Sequence, residues 1–182
     1  VIRTHTPMHW RRCGGYNLDR FVGEGVSFHY PQDQRFNLAK LICGSEGTLG
    51  VLTEIKLNLV DLPKHRGLAI VHFDSLFEAL SSVPILLETD PSAVELLDNL
   101  GLTMCRTVPE YARILETFVD GEPNCILITE FYGESESELQ AKIQGLKQHI
   151  ATQQVNSSGI VEVFEPARQV NVWKVRKAGL GF

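Results

Sequence analysis

The chain has 182 residues, 43% of them hydrophobic and 21% charged, with a net charge of -5. That balance is typical of a globular chain with room for one domain and part of another. The mild acidity, with no Lys/Arg cluster longer than Arg11-Arg12, argues against a nucleic-acid partner. No apolar run approaches the roughly 20 residues that cross a bilayer, so no transmembrane segment is expected.

In chain order, Val1 to His9 read as a strand and its exit. A chain that starts in mid-strand without methionine is expected to be an internal stretch of a longer protein. Pro7 between His5 and His9 opposes the helix that would align the two imidazoles on a metal, so no metal site is expected. Cys13, Cys43, Cys105 and Cys125 form no Cys-x-x-Cys pair. They read as scattered buried thiols that suit a reducing compartment, with the even count leaving disulfides open. Trp10-Arg11-Arg12 leads to a turn at Gly14-Gly15, followed by Tyr16 and Asn17, and residues 23–37 form a long polar connection.

Gly44, Gly47 and Gly50 then recur at every third position in Cys43-Gly44-Ser45-Glu46-Gly47-Thr48-Leu49-Gly50-Val51. Small residues leave peptide NH groups facing one concavity, where a phosphate or the polar edge of a heterocycle can bind. Taken bare, such spacing is more often a tight turn. It is neither the phosphate loop, which needs Lys-Ser or Lys-Thr after its last glycine, nor the dinucleotide fingerprint, which opens a helix. Alternation from Leu52 to Val60 predicts a half-buried strand, and Asp61-Leu62-Pro63-Lys64 marks a boundary, giving domains at 1–62 and 63–182.

Beyond that boundary, Leu68–Phe73 reads as a central strand, with His72 a packed core histidine. Ser75 with Glu78, Thr107 with Glu110, and Ser135 with Glu138 each fit a capping box. The first of these helices would turn Leu76, Leu80 and Val83 inward, the second Tyr111, Ile114, Leu115 and Phe118, and the third Leu139, Ile143, Leu146 and Ile150. Strands are expected at 93–97, 125–132 and 160–164, and Pro166 opens a last helix carrying Gln169, Trp173 and Arg176 on one face. The order strand, helix, strand, helices, strand, helix, strand predicts an α+β fold: a ferredoxin-like split βαβ antiparallel sheet with helices on one face.

The string Gly44 to Val51 with Thr53-Glu54 resembles the signature of FAD-linked oxidases of the vanillyl-alcohol-oxidase type, which include the D-2-hydroxyacid dehydrogenases. Tyr16-Asn17-Leu18 resembles a second element of that family. The resemblance implies that 1–62 closes an FAD-binding domain and that 63–182 begins a substrate domain. Tyr16, Asn17, Gly44, Ser45, Glu46, Gly47, Thr48, Gly50 and Val51 would line FAD. Trp173-Lys174-Val175-Arg176 resembles the family's Trp-x-x-Arg element, so Arg176 would hold a substrate carboxylate, with Lys177 a second candidate. Without the resemblance, Arg176 reads as a solvated surface cation.

The activity so implied is oxidation of a 2-hydroxy acid, leaning to D, by hydride transfer to the flavin N5. The electron acceptor stays open. Other readings are a FAD oxidase of another donor, such as an aromatic alcohol or an ether-lipid precursor, and a non-catalytic ferredoxin-like interaction module. Arg11 to Arg20 most resembles long bacterial members with a carboxyl-terminal iron-sulfur domain, which implies a cytoplasmic protein, able to sit peripherally at the inner membrane face. The four cysteines here are too far apart to be that cluster's ligands, so any cluster lies outside this stretch. By itself the stretch is expected neither to hold FAD tightly nor to turn over.

Overall fold

The computed structural model describes residues 1–7, 14–22 and 36–179. Residues 23–35 of the connection expected at 23–37, and residues 8–13, with Cys13 and His9, lie outside the described residues. The chain separates into two compact units, Val1–Leu59 and Val60–Phe182.

In the first unit, short helices α1 (Ile2–His5) and α2 (Ala39–Ile42) flank a 3₁₀ turn at Leu18–Phe21. The strand expected at Val1–His9 is therefore corrected to a helical turn over Ile2–His5. Its β-branched residues favour a strand, but the hydroxyls of Thr4 and Thr6 instead donate to the carbonyls of Val1 and Ile2, one turn back.

The strand expected at Leu52–Val60 is also corrected: that segment has no ladder partner among the described residues and is irregular. Ile55, Leu57 and Leu59 are 59%, 76% and 86% exposed. Alternation marks a strand only where another strand supplies hydrogen bonds. Limited proteolysis of the chain is accordingly expected to cut first within 51–62 and to leave a resistant piece beginning near Lys64. First cuts inside 65–73 would contradict this assignment.

The second unit carries β1 (His65–Phe73), α3 (Leu76–Leu87), β2 (Ala93–Leu97), α4 (Asn99–Thr107), α5 (Pro109–Leu115), β3 (Cys125–Gly133), α6 (Glu136–Thr152), β4 (Gly159–Val163) and α7 (Pro166–Ala178). The sheet order is β2-β3-β1-β4, with every pairing antiparallel. This is the split βαβ arrangement, with α4 and α5 inserted between its halves.

Helices cover both faces, not one as expected. Leu68, Ile70, Ile126, Ile128 and Val163 pack with residues of α4, α5 and α7. Ala69, Val71, Phe73, Leu127 and Phe131 pack with residues of α3 and α6. Two-sided burial is why β1 and β3 read as unbroken apolar runs.

The inward face of α6 is the expected one, with Leu139, Ile143, Leu146 and Ile150 all buried. The inward face of α3 is rotated from the expectation: Ala79, Ser82 and Leu86 are buried, while Leu76 and Leu80 are exposed.

Of the three capping boxes one forms in part, its return bond falling one residue before the N-cap Ser135. Ser135 Oγ accepts from the Glu138 NH at 3.2 Å, and Glu138 reaches back to the Glu134 NH at 2.9 Å. Ser75 makes no side-chain cap bond, and α5 starts after Val108, leaving Thr107 as the last residue of α4. Asp98 supplies the cap the sequence reading missed, accepting from the Gly101 NH at 2.9 Å.

Candidate flavin loop and carboxylate anchor

The first site is the glycine loop. It leaves α2 through Cys43 and bends by way of Gly44, Glu46 and Gly47, at φ of 95°, 49° and 77°. Three left-handed positions so close together are affordable because two are glycines.

Three hydrogen bonds close the bend on itself: the Thr48 hydroxyl and NH both donate to the Ser45 carbonyl, at 2.6 and 3.0 Å, and the Ser45 NH donates to the Ile42 carbonyl at 3.1 Å. Two more tie it to the Tyr16-Asn17 segment. Asn17 Nδ2 donates to the Cys43 carbonyl at 2.6 Å, and the Tyr16 and Thr48 hydroxyls lie 2.8 Å apart. Asn17 and Ser45 are buried by these contacts, whereas half of Tyr16 is exposed. The structure thus brings together the two motifs that the sequence separates by more than twenty residues.

What this leaves open matters most. Among the described residues, the NH groups of Glu46, Gly47, Leu49, Gly50 and Val51 donate to no protein acceptor. A Cβ built at Gly47 or Gly50 would meet no atom within 4 Å. An exposed ribbon of free amides with no side chain over its glycines, beside an exposed phenol ring, can accept a flat heterocycle and satisfy its polar edge. These residues fit a flavin on chemistry alone. Cys43 is exposed beside them, contrary to the buried thiol expected, while Cys105 and Cys125 are buried as expected.

The second site lies in the other unit, where α7 crosses the sheet. Its buried face is Gln169, Val172 and Val175. Gln169 Nε2 donates to the carbonyls of Arg66 at 2.8 Å and Phe164 at 2.9 Å, fixing the helix against β1 and the end of β4. Trp173 packs on the apolar cluster beneath.

Arg176 is not the solvated cation that composition alone suggests. It is partly buried, and its Nε and Nη2 donate to a single oxygen of Glu95, Oε2, at 2.7 and 2.5 Å. Lys177, next along the helix, is exposed and makes no ion pair or side-chain hydrogen bond among the described residues.

Further acidic and aromatic residues on β3, which sequence reasoning passed over, lie near this pair. Burial pushes the Glu130 carboxyl above the usual carboxylate range. A hydrogen bond from Tyr132 and the nearby Arg66 oppose that shift, and the charge of Glu95 adds to it. Arg66 lies over the Tyr132 ring, 5.4 Å from its centroid. Among the described residues no group of His, Cys, Asp and Glu is arranged to hold a metal, and no helix is long and apolar enough to cross a membrane.

Sheet order and two-sided helical cover define the second unit as a ferredoxin-like α+β domain. Crystals of alkyldihydroxyacetonephosphate synthase contain a similar fold, with a TM-score of 0.53 at 17% identity, over 79% of this chain and 29% of that one. The chain belongs to the FAD-linked oxidase family, whose carboxyl-terminal domain matches residues 62–181. It is 32% identical to a D-2-hydroxyglutarate dehydrogenase of Pseudomonas putida over 99% of its length, and 30% identical to one of Escherichia coli over its whole length. It spans 18% of the length of each.

Proposed function

We propose that this chain is part of a flavoenzyme that oxidises a 2-hydroxy acid, leaning to D, with residues 1–62 ending the FAD-binding domain and 63–182 beginning the substrate domain. The observation that carries the reading is the loop at 44–51: free amides and uncovered glycines, tied by hydrogen bonds to Tyr16 and Asn17.

Bound there, FAD would supply a hydride acceptor at N5. The chain's own work is positional. Asn17 holds the Cys43 carbonyl and so fixes the bend, and Gly47 and Gly50 let the backbone approach the ring. Ser45, Thr48 and Tyr16 would shape the flavin-side wall, and the free amides of Glu46, Gly47, Leu49, Gly50 and Val51 would meet the polar edge of the ring. Arg176 receives the substrate carboxylate, for which its planar fork is suited, and exposed Lys177 adds positive charge beside it. The names of the relatives make a D-2-hydroxy dicarboxylic acid the first substrate class to try.

Two variants of the full-length protein test the two halves of the reading. Gly50→Leu sends its side chain into open space, so the loop itself is undisturbed. It is expected to come out with about a tenth or less of the normal flavin content by absorbance, and normal flavin content would remove the loop from the site. Arg176→Ala is expected to lower kcat/KM for 2-hydroxy acids about 100-fold at unchanged flavin content, the scale of a lost charge-assisted pair. An unchanged rate would remove the anchor.

A further inference from the structure

We infer that Glu95 is the positioning residue for Arg176: it grips the guanidinium along its Nε–Nη2 side and so presents the Nη1–Nη2 end to a substrate carboxylate. The inference rests on Arg176 being the carboxylate anchor, and it adds the group that aims it.

A guanidinium has two edges that can each take a carboxylate with a pair of N–H donors. Glu95 Oε2 occupies the side edge through Nε and Nη2. Nη1 donates to nothing among the described residues, so the end edge is unspent. An arginine held this way has given up most of its rotamer freedom before any ligand arrives, which lowers the entropic cost of binding one.

Both ends of the pair are themselves fixed to one sheet. Glu95 sits in β2 opposite Ile128 of β3, and α7 is tethered through Gln169 to the carbonyls of Arg66 and Phe164. Arg176 and Glu95 are 81 residues apart, so no local preference of the chain sets their geometry. Glu130 is no substitute for Glu95, because it is buried, and burial disfavours its charged form. Exposed Lys177 offsets the second negative charge that a bound carboxylate would bring beside Glu95.

The test compares Glu95→Gln, Glu95→Asp and Arg176→Ala in the full-length flavoprotein, with D-2-hydroxyglutarate, D-lactate and the methyl ester of D-lactate as probes. Glu95→Gln keeps the shape and loses the charge. It is expected to raise KM for the acids about tenfold or more, to change kcat less than about threefold, and to narrow the preference for D-lactate over its ester. Glu95→Asp is expected to recover part of the loss, and it decides the matter alone if Glu95→Gln does not yield folded flavoprotein.

If Arg176→Ala raises KM while both Glu95 variants leave KM and the acid-to-ester preference unchanged and lower only Tm, the pair is a structural clamp and the inference falls. The anchor reading would then survive. If Arg176→Ala changes neither KM nor that preference, the anchor reading fails and the inference goes with it.

Discussion

Phe131→Ala is expected to lower the unfolding free energy of the second unit by about 3–5 kcal/mol, toward the upper end of that range for a large-to-small core change. Phe131 is 1% exposed and belongs to the cluster formed by β1, β3, α3 and α6. Its register partner on β1 is Gly67, which has no side chain to relax into the space the ring would leave.

Nor can α6 move in easily. A Cβ at Gly67 would already stand 2.9 Å from Leu139 Cδ2 and 3.1 Å from Ile143 Cδ1, so the helix lies as close to the strand as the glycine permits. With domains stable by only about 5–15 kcal/mol, one such loss removes a large share of the total. The measurement is urea unfolding of wild type and variant, with the midpoint lowered and the slope unchanged. A loss under about 1 kcal/mol would mean that the cavity closes and that this face is packed loosely.

The alternation of strands and helices in the second unit was legible because each element declares itself locally. The 139-143-146-150 stripe of α6 has a single apolar solution, so its inward face is unambiguous. In α3 most positions are apolar, and several faces satisfy the same period; the choice went to Ala79, Ser82 and Leu86 because small residues let the helix sit close to the sheet. The unbroken run Leu68–Phe73 already carried the mark of a strand covered on both sides, a signal that should outrank the expectation of helices on one face. Leu52–Val60 shows the opposite limit: alternation records which side chains can share a face and says nothing about whether a neighbouring strand is present.

At the candidate sites the division is the same. The glycine loop was visible because its geometry needs glycine at particular places, and Gly44 and Gly47 do take left-handed angles. The ties from Tyr16 and Asn17 across to Thr48 and Cys43 were not visible, since they are set by packing between distant segments. Glu95 escaped notice because a carboxylate on an edge strand usually faces water. Glu130 left a stronger trace: an acid inside the longest apolar strand run has to be paired, neutral or functional, and that alone could have drawn attention to it.

The same logic applied to His72 yields the second large effect, a loss of stability in mild acid. His72 is buried between β3 and β4, and among the described residues neither ring nitrogen has a hydrogen-bond partner. Burial holds its pKa below the ordinary 6.5, outweighing the Gly159 backbone beside the ring and the Asp120 carboxylate, which both favour the proton weakly.

Because the folded imidazole is the weaker base, the unfolded chain binds more protons. Stability from the neutral ring is therefore fully present above pH 6.5 and falls as pH drops below it, by about 1.4 kcal/mol per pH unit until the folded group itself protonates. Glu130 works in the other direction: its raised pKa gives stability that is present below 4.5 and is lost as pH rises through its folded value. A wild-type pH profile alone would mix the two. The decisive comparison is His72→Leu against wild type in urea at pH 7.5, 6.5, 5.5 and 5.0, in a Glu130→Gln background. The gap between the two should shift in favour of the leucine variant at each step below 6.5, and a gap that stays constant with pH would show that His72 takes up its proton as readily in the folded chain as in the unfolded one.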